Sequence, residues 1–332
     1  MVSVNLQQED QVIDALQLSF VIPVYNRPSE IQRLVKSMTE QSQAGFEVVI
    51  VEDGSTVTCQ KIVDEYRSQL AINYIQNPTS LGPGLARNVG VSNTSGNFLV
   101  FVDSDCFLPS NYVETITTVL TEQQPDAYGG PDTGHSSFSV LQKAIDYSMT
   151  SFLTTGGIRK GRQQFDLFYP KGFNMGIKKN VFESLGGFVD MRYGEDTELS
   201  YRVRKNRYSV RYIAEAFVHH QRRNDIIGFY KQVYNSGKAR ILISRIHSEA
   251  LKMLHFLPTI AVIVFLLLLA LASWNVLFFL PIWAYAMAVL IHATAVSKSL
   301  SVGLVSICTS AVQVTGYGLG FFVQFLKARG NG

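Results

Sequence analysis

The chain has 332 residues, with 29 Lys and Arg against 26 Asp and Glu, a net charge of +3 and 47% hydrophobic residues. That length holds one sizeable α/β domain with an appendage, and so small a charge argues against nucleic acid as a partner. Its 3 cysteines are too few for a disulfide framework and fit a reducing compartment.

Residues 1–17 are polar and acidic, with no apolar signal core, and are read as an N-terminal tail. Leu18–Val24 is an apolar strand that ends in the turn Tyr25-Asn26-Arg27-Pro28 and feeds a helix over 29–40. A second strand, 47–51, ends in Glu52-Asp53-Gly54-Ser55 and is followed by a helix over 59–69. Next come a strand at 72–76, the turn Gly82-Pro83-Gly84 and a helix over 84–93 that carries Arg87. The run Phe98–Val102 reads as a buried strand. Strands near 127–130, 172–177 and 210–213 alternate with helices near 111–121, 138–153, 179–185 and 197–205. Strands followed by helices read as βα units of a parallel sheet. In such sheets ligands bind outside the carboxyl ends of the strands, where Asn26, Asp53, Asp103 and Asp105 fall.

Asp103-Ser104-Asp105 follows the strand 98–102 directly. Residues i and i+2 of an extended backbone point the same way, so both carboxylates would project from one strand end. Like charges so placed are costly unless a cation sits on them, and hard divalent ions prefer oxygen ligands. The bland alternative is a surface loop with two solvated aspartates.

Beyond residue 225 the character changes. Residues 226–254 read as a basic amphipathic juxtamembrane helix, carrying Lys231, Lys238, Arg240, Arg245 and Lys252; an ordinary solvated basic helix is the alternative. Two to three transmembrane helices are expected over 255–326: Phe256–Ser273, Val276–Val296 and a weaker candidate at Leu300–Leu326 diluted by Gln313, Thr315 and three glycines. Residues 327–332 form a tail. Basic residues before the first span, with no signal peptide, place the preceding domain (18–225) on the cytoplasmic side of a multi-pass inner-membrane protein. The loop 156–162 (Gly-Gly-Ile-Arg-Lys-Gly-Arg) reads as mobile and basic.

Taken in order, Ile22–Arg27, Glu52–Ser55, Ala86–Gly90, Asp103–Asp105, Gly172–Met175 and Gly194–Asp196 resemble the motifs of family 2 glycosyltransferases of the membrane-anchored bacterial type. Each motif alone is weak; their order over residues 18–220 is what identifies the resemblance. It implies a GT-A fold, a Rossmann-like α/β nucleotide-diphospho-sugar transferase domain. It also implies transfer of a sugar, with inversion, from a nucleotide-diphosphate donor, by family frequency a UDP-sugar. Asp105, with Asp103, would hold Mn²⁺ or Mg²⁺. Some relatives complete the ion's shell two residues later, but Phe107 stands there, so His219 or His220 is the expected substitute. Adjacent strand residues face opposite ways, so one of the two at most would ligate.

The resemblance also assigns Asp196 as general base, with Glu195 beside it to orient the acceptor or cap the helix. Pro23, Val24, Tyr25, Asn26, Arg27, Glu52, Asp53, Gly54, Asp103 and Ser104 would bind the nucleotide sugar. Arg27 stands where several relatives carry Glu. Arg87 would contact the diphosphate or pair with an active-site Asp. Asn174 would line the acceptor side, or else be a buried structural amide.

Processive members carry Gln-x-x-Arg-Trp before a span; here the region reads Lys231–Ser236 without Arg-Trp, which favours a single transfer over a polysaccharide synthase. The expected acceptor is lipid-linked or otherwise membrane-associated, in envelope polysaccharide or glycoconjugate synthesis, with membrane lipids as further partners. A non-catalytic nucleotide-sugar-binding scaffold and a nucleotidyltransferase are the competing classes. The sequence leaves the sugar, the acceptor and the oligomeric state open.

Overall fold

A computed structural model describes residues 15–135, 137–155 and 168–330; the basic loop 156–162 lies outside the described residues. The chain order is β1 (Leu18–Val24), α1 (Pro28–Thr39), β2 (Glu47–Asp53), α2 (Gln60–Tyr66), β3 (Ala71–Asn77), α3 (Pro83–Val91), β4 (Phe98–Val102) and β5 (Cys106–Phe107). Then follow α4 (Tyr112–Gln123), β6 (Ala127–Gly129), β7 (Asp132–Thr133), α5 (Val140–Thr150), α6 (Phe152–Thr155), β8 (Asn174–Lys178) and α7 (Lys179–Ser184). The last elements are α8 (Glu195–Lys205), β9 (Val210–Tyr212), β10 (Val218–His220), α9 (Ile226–Ile246), α10 (Leu257–Ala272), α11 (Leu280–Ser297) and α12 (Leu300–Gly330).

A seven-stranded sheet has the order β3-β2-β1-β4-β8-β6-β9. Its central strands are apolar throughout because both faces are covered. Phe20, Ile22, Val100 and Val102 point to one core, with α1 and α4. Val21, Leu99 and Phe101 point to the other, with Phe182, Phe188 and Leu199. The sheet is mixed, not all parallel as the sequence reading had it: β8 runs antiparallel to both β4 and β6. Asn174 pairs with Val102, so the chain enters β8 at the carboxyl end of β4 and must run backwards from there. That entry brings Lys171, Gly172 and Phe173 to the crevice. A three-stranded sheet, β5-β10-β7, caps the same end.

Three helices are long and apolar enough to cross a membrane, at Met253–Ala272, Val276–Ser297 and Leu300–Ala328. Only 6% and 11% of the first two windows is buried within the protein, against 39% of the third, which packs between the other two on one side and α9 with α5 on the other. A Cβ at Gly320 would lie 2.0 Å from the Tyr234 carbonyl oxygen, and one at Gly237 would lie 2.2 Å from that of Tyr317. Small residues let the backbones approach this closely, as between membrane helices. The basic helix therefore ends at Ile246, short of residue 254, and its Phe229, Val233, Gly237, Ala239, Ile241 and Ile243 are buried rather than forming one apolar stripe for a bilayer.

Candidate active site

Val102 ends β4, and Asp103-Ser104-Asp105 does not continue it. The Cys106 amide donates to the Asp103 carbonyl at 3.0 Å, closing a turn. The sequence expectation of two carboxylates side by side on extended backbone is thereby corrected: the turn sends them to different partners. Asp103 accepts from Arg87 Nη2 at 2.5 Å. Asp105 Oδ2 accepts from Arg27 Nη1 at 2.5 Å, while Asp105 Oδ1 faces His220 Nε2 at 3.2 Å.

The two histidines lie within β10, and they separate by face. His220 pairs with Cys106 and His219 with Phe107 across the small sheet. His219 stacks on the Phe107 ring with centroids 4.7 Å apart, away from the acids, so His220 is the one beside Asp105. Asp105 Oδ1 is buried and has no hydrogen-bond partner among the described residues. A buried carboxylate oxygen whose one close contact is an imidazole nitrogen about 3 Å away matches the spacing of two adjacent ligands on an octahedral ion with bonds of about 2.1 Å. The residues fit a divalent cation. Cys106 also lies within this group, but burial pushes its thiol well above its usual range, so it stays protonated and is a poor ligand.

Electrostatics around the pair are strong. Burial alone would push the Asp105 carboxyl up, but His220, Arg27 and Arg223 together hold it far below the usual range. Burial opposes the charge on His220 too, yet Asp105 and Asp132 raise it to about 9.

Arg87 is the hinge between the strand-end acids and the helix-start acids. It is 3% exposed, lies 5.3 Å over the Phe188 ring, and its Nη1 donates to Glu195 Oε1 at 2.9 Å. Of the two roles open to it, pairing with an active-site Asp is the one observed. Asp196 starts α8 beside it. Its Oδ2 accepts from the Gly172 amide at 3.2 Å and its Oδ1 from the Thr197 amide at 2.6 Å. A Cβ at Gly172 would meet Arg87 Nη2 at 3.0 Å, so a larger residue there would press on the Arg87 guanidinium. Gly194, with φ +86, turns the chain into α8 against Ala239 of α9, where a Cβ would lie 2.9 Å away.

Glu195 and Asp196 are pushed apart. Burial and the neighbouring Asp196 raise Glu195 to about 7, with Arg87 pulling the other way. Burial also works against charge on Asp196, but Lys171, the Gly172 amide and Arg87 outweigh it and hold the group below the usual carboxylate range. Asp196 thus stays ionised at neutral pH while its neighbour shares a proton, the pattern that separates acid from base roles.

Several residues expected to contact the ligand also brace the loops around the crevice. Glu52 is buried and accepts from Ser55 Oγ, the Cys59 amide and the Tyr74 hydroxyl. Asp53 accepts from Asn77, Ser80 and the amides of Leu81 and Gly82, which fixes the loop that leads into α3. Asn26, with φ +52, accepts from the amides of Thr56 and Val57 and ties the ends of β1 and β2 together. Asn174 is fully buried: Tyr112 donates to it at 2.6 Å and it donates to Ala216 O at 2.7 Å, so it is the structural amide, not an acceptor contact. Val24 lies in the core and Ser104 is buried, whereas Tyr25 is exposed at the crevice. Gly54 turns at φ +71 beside Thr79 and Ser80. Sequence reading missed Asp132, Asp146 and Arg222. Only Arg222, a cation directly after a strand, left a trace there.

A mixed sheet with acids at the carboxyl ends of its central strands and a second acidic pair opposite defines the nucleotide-sugar transferase class of GT-A-like folds. The sequence profile of glycosyl transferase family 2 matches residues 19–186, and the chain belongs to that family. An uncharacterized glycosyltransferase of Haemophilus influenzae is 36% identical over 110 residues, covering 33% of this chain and 36% of the relative. The poly(ribitol-phosphate) beta-N-acetylglucosaminyltransferase TarS of Staphylococcus aureus is 34% identical over 114 residues, covering 33% of this chain and 20% of its own. The chain therefore spans well under half the length of these curated relatives. Among solved structures, TarS 1–349 superposes with TM-score 0.53 at 18% identity over 95% of this chain and 92% of that one. The mannosyltransferase PcManGT of Pyrobaculum calidifontis, in complex with GDP-Man and Mn²⁺, superposes with TM-score 0.62 at 17% identity over 89% and 86%.

Proposed function

We propose that the chain is an inverting, metal-dependent glycosyltransferase that moves a sugar from a nucleoside diphosphate to a membrane-associated acceptor at the cytoplasmic face. The observation that carries this reading is the buried Asp105 Oδ1, with no hydrogen bond of its own, facing His220 Nε2 at 3.2 Å. A divalent ion held there would neutralise the leaving diphosphate as a Lewis acid. Imidazole in the donor set favours Mn²⁺ over Mg²⁺.

Asp196 takes the proton of the acceptor hydroxyl. The acceptor oxygen then bonds to the anomeric carbon from the face opposite the diphosphate, and the bond to the diphosphate oxygen breaks with its electron pair. Arg87 holds Asp103 and Glu195 in place, and Tyr25 offers an exposed ring on which the base can stack. The three apolar helices would keep this crevice next to a lipid-linked acceptor, which raises its local concentration. Absence of Arg-Trp after Gln232 supports a single transfer.

Mass spectrometry of lipid-linked glycans from cells with and without the gene tests this. The proposal expects one glycolipid to lose a single sugar residue when the gene is removed. An unchanged lipid-linked pool, with loss of a long polymer instead, would favour the processive alternative.

A further inference from the structure

Behind His220, on the side away from Asp105, lies a run of charges, from buried Arg222 and nearly buried Asp132 to part-exposed Asp146, that sugar transfer itself does not use. Asp132 Oδ2 of β7 lies 3.6 Å from His220 Nδ1, an ion-pair distance just beyond hydrogen-bond reach, and that buried nitrogen has no hydrogen-bond partner among the described residues. The same oxygen accepts from Arg222 Nη1 at 2.5 Å. Arg222 is 3% exposed and donates from Nε and Nη2 to Asp146 Oδ1 at 2.9 and 2.7 Å. Asp146 sits on α5. The next two residues of that helix reach the apolar helices: Tyr147 bonds His292 of α11 at 2.8 Å, and Ser148 bonds Thr309 of α12 at 2.6 Å. Buried ion pairs are costly to assemble, and replacing them with apolar groups is often neutral or stabilising. Stability alone therefore gives little reason for the buried Arg222–Asp132 pair to be arranged here.

We propose that Asp132, clamped by Arg222 and Asp146, is a positioning residue that aims the His220 ring, Nε2 forward, at the cation shared with Asp105. The inference rests on the ion reading above and names who orients its nitrogen ligand. A carboxylate behind a ligating imidazole fixes the ring and its tautomer and makes the nitrogen a better donor. The anchor on α5 also ties this ligand to the part of the domain that packs on the apolar helices.

The test is Mn²⁺ binding by the full chain in detergent, followed by electron paramagnetic resonance. Free Mn²⁺ gives the affinity, and coupling to ¹⁴N in the bound signal reports the imidazole. Asp132→Asn is expected to weaken Mn²⁺ binding by roughly 10- to 100-fold and to diminish the nitrogen coupling. His220→Ala removes the coupling. An Asp132→Asn protein with wild-type affinity and coupling overturns the positioning role alone. Wild-type protein that binds no Mn²⁺, or His220→Ala protein that keeps the coupling, overturns the ion reading and the positioning role together. Should Asp132→Asn not fold, Asp146→Asn gives the same readout with a smaller loss of affinity, and no loss there overturns the proposal.

Discussion

Replacing Arg87 with methionine keeps its bulk and removes its charge. Glu195 is 9% exposed at the side chain and Asp103 is 33% exposed, so one carboxylate loses its cation in a nearly dry site and the other at its edge. Breaking a buried pair costs about 3–5 kcal/mol, and the exposure of Asp103 puts this case near the lower end, about 3 kcal/mol. The loss depends on pH in a defined direction. Glu195 already titrates near 7, above its ordinary value of 4.5, and Arg87 pulls it down. Without Arg87 it rises further. A carboxyl raised in the folded state gives stability that is complete below the unfolded value and lost as pH rises through the folded one. The penalty of Arg87→Met is therefore smallest near pH 4.5 and largest above pH 7. Thermal unfolding at pH 5 and pH 8 measures it, and Arg87→Met/Glu195→Gln should recover most of the loss at pH 8. Equal losses at both pH values, with no recovery in the double variant, would refute the assignment of Arg87 as the clamp of these acids.

Asp196→Asn is expected to lower kcat by about 10²–10⁴-fold with little change in donor affinity, read from steady-state kinetics with a competent acceptor. Asn174→Ala should destabilise the fold by about 1–3 kcal/mol, since it strands the Tyr112 hydroxyl and the Ala216 carbonyl. KM for the acceptor should not move in that variant if the protein is assayed below its unfolding temperature. Gly320→Val puts carbon where the Tyr234 carbonyl oxygen stands 2.0 Å from a Cβ, so α9 must leave α12. Limited proteolysis should then cut between the catalytic domain and the apolar helices, while the wild type resists.

The strands were legible because burial on both faces leaves unbroken apolar runs; every residue of Phe98–Val102 is buried. The third apolar helix read weakly for a physical reason. Its glycines are contact points, Gly316 and Gly320 against α9 and Gly318 against α10, and that diluted the hydropathy which marks a lipid-facing helix. Strand alternation foretold that His219 and His220 would diverge, though not which faced Asp105, since the register of a three-residue strand depends on its partners. The direction of Asp103 and Asp105 was misread because the i, i+2 rule applies to extended backbone and β4 stops one residue earlier. Glu52, Asp53 and Asn174 show the remaining limit. A polar residue at a strand end serves a ligand or staples a loop, and only its partners in space decide. Asp132 and Asp146 are distant in sequence from His220, so nothing in the pattern joined them.

The account turns on a divalent cation at Asp105 and His220. Release of nucleoside diphosphate from a panel of UDP- and GDP-sugars, with Mn²⁺ or with chelator, tests this most directly in wild-type and Asp105→Asn protein. Turnover of one donor that needs Mn²⁺ and is lost in Asp105→Asn is the predicted result. Undiminished turnover in chelator, or in the Asp105→Asn protein, would contradict it.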